Sequence, residues 1–269
     1  MKYDPIKRSL GKVFNATPVL RILFYRLLDL LLLRTWYVKR ELRRWIASNP
    51  GERTLLDAGS GFGQYTWFLS GMSPSWQVVA VDVKEEQIAD CTAFFAKAGR
   101  KNVNFQTADL TVFEHPGTYD LILSVDVMEH IAEDEKVFGN FCRSLKPGGM
   151  LLVSTPSDQG GSDVHDHDGE ESFIEEHVRD GYNIIDIQDK LKRAGFSRTE
   201  ASYSYGKPGQ VAWRISMKVP IVLLNVTKLF FILLPFYYLV AFPVSYCLNH
   251  MDVRRKHTTG TGLIVKAWK

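Results

Sequence analysis

The chain has 269 residues, 45% hydrophobic and 23% charged, which suits one α/β domain with room for an embellishment. A net charge of +3 is too small to argue for nucleic acid, and no basic groove with interleaved aromatics supports such a partner. Cys91, Cys142 and Cys247 stand far apart without metal-ligand spacing, so reduced thiols and a cytoplasmic setting are expected.

The first apolar run contains Arg21, Arg26 and Asp29, so no cleavable signal is expected there. On a helical wheel Leu20, Phe24, Leu27, Leu28 and Leu31 share one narrow face, with those three charges elsewhere. Basic residues follow at Arg34, Lys39, Arg40, Arg43 and Arg44, and others gather at Arg254, Arg255 and Lys256. Both clusters flank apolar segments and read as attraction to anionic lipid, with a solvated helix face as the alternative. Residues 1–50 are expected to form an N-terminal helical cap or membrane-contact region.

Residues 55–64 read as a buried strand ending in Asp57 and a turn through Gly59, Gly61 and Gly63 into a helix. Such glycines admit positive φ and a close ligand, and the helix start offers unpaired N–H groups. A dinucleotide fingerprint wants its third glycine where Gln64 stands, and no Lys-Ser/Thr pair marks an ATP-type loop. Strands are predicted over 54–58, 77–82, 103–107, 119–124 and 150–155, with helices after the first, second and fourth. The helix over 133–145 has acids in its first turn and is stopped by Pro147, Gly148 and Gly149. A helix over 184–194 and strands over 196–205 and 262–268 complete the pattern.

The acidic residue with alternating glycines resembles the first motif of class I S-adenosylmethionine-dependent methyltransferases. The second strand ends in Asp82, nineteen positions after Gly63, where a carboxylate accepts ribose hydroxyls. Residues 103–110 resemble the family's adenine-contacting segment, with Asp109 placed for the exocyclic amine, and the segments 119–131 and 145–156 follow in the family's order. The resemblance implies a Rossmann-like, doubly wound α/β sheet of seven strands whose last strand runs antiparallel between the fifth and sixth. It implies S-adenosylmethionine as cofactor, with Asp57, Gly59, Gly61, Gly63, Asp82, Asp109, Leu110 and Ser124 as its contacts. Phe62 and Tyr65 shape the pocket or pack in the core. The methyltransferase domain is expected over 51–206 and 258–269.

Between the last two strands, where the family has a near hairpin, residues 207–257 intervene. From 219 to 248 only Lys228 is charged, and Pro220, Pro235 and Pro243 divide the run. Both ends return to one sheet, so a single crossing is excluded, and a helical hairpin turning at Pro235 and dipping into one leaflet is predicted. Tyr237, Tyr238 and Tyr246 would suit the interface. The alternative is that this insertion and the N-terminal helix pack on each other and cap the active site.

The reaction needs a nucleophile aligned behind the methyl and a way to lose a proton. Asp126 and His130 are the candidates for that role. With Glu129 their spacing resembles ubiquinone-biosynthesis O-methyltransferases, where such a trio can hold a divalent cation. Asp126 stands for the usual glutamate and shortens one arm, so Mg2+ and a metal site on Asp126, Glu129 and His130 are not favoured. The loop 163–168 reads as a polar lid rather than a metal site, and His177 faces the substrate or ties that lid to the core. The sequence therefore predicts methylation of a hydroxyl on a lipophilic quinol, phenol, polyene or lipid precursor. The enzyme would be peripheral or monotopic at the inner face of the cytoplasmic membrane. Alternatives are carbon or carboxyl methylation in natural-product assembly, and a non-catalytic scaffold that binds the cofactor.

Overall fold

Seven strands carry the fold in this computed structural model, which describes residues 17–160, 178–227 and 230–269. They are β1 (Thr54–Ala58), β2 (Gln77–Asp82), β3 (Val103–Thr107), β4 (Tyr119–Val125), β5 (Leu145–Pro156), β6 (Arg198–Ser204) and β7 (Gly262–Trp268). The order across the single sheet is β3-β2-β1-β4-β5-β7-β6. β7 runs antiparallel to both neighbours, pairing Val265 with Val153 of β5 and with Ala201 of β6. The predicted fold, including the place and direction of the last strand, is the one observed.

The central strands are buried on both faces, as a parallel sheet between helical layers requires. Alternate residues serve opposite layers. Leu56, Ile122 and Leu151 pack with Val137, Phe138 and Phe141 of α5 (Asp134–Ser144) and with Ile187 and Leu191 of α6 (Ile184–Arg193). Leu55, Leu121, Leu123 and Leu152 face the other way, against Tyr37, Val38, Leu42 and Trp45. Those four belong to α2 (Leu33–Ser48), which follows α1 (Pro18–Leu31) after a break at the extended Leu32. The helices after β1 and β2 are α3 (Gln64–Ser70) and α4 (Glu85–Lys97).

α1 docks in a way the helical wheel does not foretell. Its buried residues are Arg21 and Tyr25, while Leu27 is exposed and Leu20, Phe24, Leu28 and Leu31 are half-buried. Arg21 reaches Asp90 at 2.5 Å and the Phe62 carbonyl at 2.9 Å, and its guanidinium lies 4.7 Å from the Phe94 ring centre. These partners outweigh the apolar stripe in fixing the helix rotation. The first basic cluster is divided: Lys39 is buried, Arg34 and Arg40 are half-buried on partners within the protein, and Arg43 and Arg44 are exposed. Lys39 is buried on Asp29, Arg40 bonds Glu41 and the Val253 carbonyl, Arg44 pairs with Glu41, and Arg34 pairs with Asp126. Arg254, Arg255 and Lys256 stay exposed.

The insertion is a helical hairpin, but its turn is not at Pro235. The outgoing arm is α7 (Lys207–Trp213), a π-helical turn (Arg214–Lys218) and α8 (Val219–Val226). It ends at the extended Thr227, and α9 (Phe230–Arg254) returns with Pro235 and Pro243 inside it. The polar Asn225, Thr227 and Lys228 make this the point of the run best suited to a solvated turn. Near the sheet the hairpin is anchored by a stripe of Ala241, Ser245, Asn249 and Asp252 on α9, all buried. Asp252 accepts bonds from the Gly209 N–H at 2.8 Å and the Tyr37 hydroxyl at 2.6 Å. Tyr237 and Tyr238 donate to the Ile215 and Ser216 carbonyls, both at 2.6 Å, so they knit the two arms together. Tyr246 stacks edge-on against Trp36, their ring centres 5.1 Å apart. Beyond this base the hairpin leaves Val222, Val226, Phe231, Ile232, Phe236, Leu239 and Val240 exposed. Among the described residues α9 is the one helix long and apolar enough to cross a membrane.

The 163–168 loop and His177 lie outside the described residues.

Candidate functional site

The candidate site lies at the carboxyl ends of β1, β2 and β4, where the strand order reverses direction between β1 and β4. Asp57 ends buried at 2% exposure and accepts the Thr66 hydroxyl at 2.5 Å. Burial pushes its carboxyl up to about 6, with the neighbouring Asp82 charge adding to the rise and Thr66 opposing it. Gly59 follows with φ +81, its N–H bonding the Val81 carbonyl at 2.9 Å. A Cβ at Gly59 would strike the Val127 methyls, so glycine is required for space as well as for conformation.

Gly61 differs in kind. It also has positive φ, yet nothing lies within 4 Å of where a Cβ would point. On this side the loop backbone is open to a ligand. The Gly61 N–H is held by Asp82 Oδ2 at 2.9 Å, and Asp82 Oδ1 takes the Lys84 N–H at 3.0 Å. Asp82 thus braces the loop and retains lone pairs for further donors. Gly63, φ +77, opens α3.

Asp109 is exposed and accepts the Thr111 N–H at 2.8 Å, a bond that holds its carboxyl below the usual range. The Leu110 side chain packs in the core, leaving only its backbone for a ligand. Ser124, at the end of β4, is fully buried, and its Oγ, like that of Ser60 in the loop, has no partner within the protein. Two unpartnered buried hydroxyls beside an open glycine cradle, between carboxylates on adjacent strand ends, fit a polar nucleoside-like ligand. The S-adenosylmethionine contacts predicted from the sequence are thus brought to one edge.

The acceptor side is built after β4. Asp126 has φ +51, its N–H bonding the Ser154 carbonyl at 2.9 Å, and its carboxylate pairs with Arg34 of α2. His130 closes the short helical turn Met128–His130 and is half-buried. Glu129 is turned inward at 1% exposure and accepts the Thr155 hydroxyl at 3.1 Å, and burial raises its carboxyl above the usual value. Asp126, Glu129 and His130 are therefore not gathered as ligands, and no group of three metal-binding side chains exists among the described residues.

Several participants escape the sequence motifs. Tyr25 and Arg21 clamp the Phe62 carbonyl from beneath the glycine loop. Gln64 reaches Asp29 at 2.8 Å, and Tyr65 meets Thr35 at 3.3 Å, so α1 and α2 both grip the start of α3. Tyr205, beyond β6, receives the Arg34 N–H on its hydroxyl at 2.9 Å. The one sequence signal for the clamp is a charged Arg21 four residues before Tyr25 inside an apolar helix.

A methyltransferase-domain family model matches residues 50–193. The chain is 30% identical over 149 residues to a phosphoethanolamine N-methyltransferase of Triticum aestivum, covering 55% of this chain and 28% of that one. It is 30% identical over 104 residues to the ubiquinone biosynthesis O-methyltransferase of Caulobacter vibrioides, covering 38% and 40%. The chain therefore spans less than half the length of these relatives. Among solved structures, Haemonchus contortus phosphoethanolamine N-methyltransferase 2 in complex with S-adenosyl-L-methionine superposes with a TM-score of 0.60 at 19% identity, over 86% of this chain and 52% of that one. An S-adenosylmethionine-dependent methyltransferase of Aquifex aeolicus gives 0.51 at 24% identity, over 67% and 87%.

Proposed function

The chain belongs to the methyltransferase-domain family, and from that premise we propose that it moves a methyl group from S-adenosylmethionine to a hydroxyl of a lipophilic small molecule at a membrane surface. The observation that carries the reading is the pairing of an open Gly61 cradle, between the Asp57 and Asp82 carboxylates, with an apolar hairpin over the same end of the sheet. In this reading Asp82 binds ribose hydroxyls, Asp109 the adenine amine, and the Gly59, Gly61 and Gly63 backbone lets the cofactor lie against the loop. Ser124 and the Leu110 backbone border it.

When bound, S-adenosylmethionine supplies an electrophilic methyl on a positively charged sulfur. Asp57 stands where that cofactor's positive charge offsets the penalty of a buried carboxylate. Asp126 and His130 are the groups we assign to the acceptor's proton, since both follow β4 within one turn. Tyr65 and Tyr205 tie α2 to this side of the sheet, their hydroxyls on the Thr35 hydroxyl and the Arg34 N–H.

The membrane assignment rests on surface chemistry. Phe236, Leu239 and Val240 are 67%, 73% and 71% exposed, and α1 adds Val19, Leu23, Leu27 and Leu30. Apolar side chains exposed in such number mark an interaction surface. The hairpin's two ends return to β6 and β7, so it enters one leaflet from the side that holds the sheet. In this reading the membrane contacts are made by α1 and the outer part of the hairpin, within residues 1–50 and 207–257, and the remainder is the catalytic domain.

Incubation of the protein with methyl-labelled S-adenosylmethionine and a membrane lipid extract tests the function. Label is expected in a solvent-extractable product that survives alkali, as a methyl ether does. Release of volatile methanol by alkali would indicate a carboxyl ester instead, and label confined to water-soluble acceptors would overturn the lipophilic reading.

A further inference from the structure

Arg34 brings a positive charge to the acceptor side from outside the residues that the family model matches. It sits in the first turn of α2, above the sheet edge, with its side chain on Asp126 and its backbone N–H on the Tyr205 hydroxyl. Asp126 and Tyr205 are the two non-glycine residues with positive φ among those described, at +51° and +55°. A non-glycine backbone held in this region is strained, and such strain collects at ligand sites. Here both strained residues converge on Arg34, Asp126 on its guanidinium and Tyr205 on its backbone N–H. That guanidinium is incompletely used, because its Nε is buried and has no partner within the protein. A guanidinium presents its donors as a planar fork that matches an oxyanion, and a buried donor left unmade is unfavourable.

The pair also bears on the proton. A carboxylate held by a guanidinium is stabilised in its charged form and is a poor base while so held. Asp126 serves as a proton acceptor only when something takes its place on Arg34. Both partners are about one-third exposed, at 36% and 32%, so the exchange needs no unpacking of the core.

Resting on the methyltransferase reading, we propose that Arg34 is the anion-binding residue of the acceptor site, so that the acceptor carries an oxyanion, carboxylate or phosphate monoester, beside the hydroxyl that is methylated. The oxyanion takes the Asp126 position on Arg34 and engages the unpartnered Nε, which anchors the acceptor and releases Asp126. The acceptor oxygen then bonds the methyl carbon, the carbon–sulfur bond breaks with its electron pair going to sulfur, and the hydroxyl proton passes to the Asp126 carboxylate. Acceptor recognition and base release are thereby one event. Glu129, also within electrostatic reach of Arg34, is occupied by Thr155.

The test uses the full chain loaded with S-adenosylhomocysteine, titrated with octanoate, octyl phosphate, 1-octanol and octylammonium. Octanoate or octyl phosphate is expected to bind about tenfold or more tightly than 1-octanol, and the stronger of the two identifies the anion. Arg34→Gln should abolish that preference while leaving 1-octanol and S-adenosylhomocysteine binding in place. Asp126→Asn should strengthen octanoate binding, because it removes the internal competitor, whereas a merely structural role would weaken it. Equal binding of octanoate and 1-octanol, an anion preference that survives Arg34→Gln, or weaker octanoate binding in Asp126→Asn would each overturn the proposal. Loss of S-adenosylhomocysteine binding by the unaltered protein would instead overturn the methyltransferase reading beneath it.

Discussion

Along β4 and β5 the buried positions are aliphatic and the polar groups wait at the strand ends, whereas α1 and α9 turn Arg21, Tyr25, Ser245, Asn249 and Asp252 inward and leave Leu27, Phe236 and Leu239 in the open. The sheet half thus follows the usual partition of a protein in water. These two helices invert it, their buried side chains held by hydrogen bonds and ion pairs while many of their apolar side chains face outward. In water such an arrangement forgoes roughly 1.5 to 3 kcal/mol for each large apolar side chain left exposed. An apolar surrounding removes that penalty, which is why we assign these helices to a membrane surface and the sheet edge to the cofactor.

The comparison is broken most sharply at the glycine loop. Gly59→Ala adds left-handed strain and a collision with Val127, together roughly 2 to 5 kcal/mol. We expect a large fall in thermal stability and loss of measurable S-adenosylmethionine binding in calorimetry, with vesicle binding through the hairpin retained by the folded fraction. Val127→Ala in the same chain should recover the part due to collision and leave the strain of about 1 to 2 kcal/mol. Equal melting temperatures for Gly59→Ala and the parent would show that the loop is not packed as described.

A smaller effect sharpens the electrostatic side. Asp57 is protonated more readily in the ligand-free fold than in the unfolded chain, because burial lifts it from 3.8 to about 6. Below about pH 4 both states are protonated and the group has no effect on stability. As pH rises through 6 the folded state must ionise a buried carboxyl, so its contribution becomes destabilising by about 2 to 3 kcal/mol. Asp57→Asn should therefore stabilise the ligand-free protein at pH 7.5 and have little effect at pH 4, read from denaturant midpoints. Cofactor affinity of the parent should rise with pH through 6 and that of the variant should not. A variant equally stable relative to the parent at both pH values would remove Asp57 from the account.

The two regions also differ in how much of them the sequence displays. The bounds of β1, β2 and β3 and the glycine loop are legible because each rests on a local rule, alternation within a strand or a conformation that glycine permits. The helical layer depends on partners far along the chain. Nothing near Arg21 announces Asp90 or the Phe62 carbonyl, so the apolar stripe of α1 misleads about which face docks. Arg34, Lys39 and Arg40 look like part of a surface patch until Asp126, Asp29 and Glu41 are brought beside them, while Arg43 and Arg44 stay exposed. Pro235 looks like a turn because proline breaks most helices, yet the chain bends at Thr227, where polar residues can meet water. Within the site, Asp57 and Asp82 stand where the motif puts them, whereas the Arg34 contact to Asp126 required the fold.

The division of labour between these regions is tested most directly by replacing residues 219–240 with a short glycine-serine turn, which keeps the buried stripe of α9 at the base of the hairpin. S-adenosylmethionine affinity by calorimetry and co-sedimentation with phospholipid vesicles are then measured on the variant and the parent. Our account predicts a parent that sediments with vesicles and a variant that stays in the supernatant, with cofactor affinity within about twofold between them. A parent that never sediments, or a variant that sediments equally well, would contradict it.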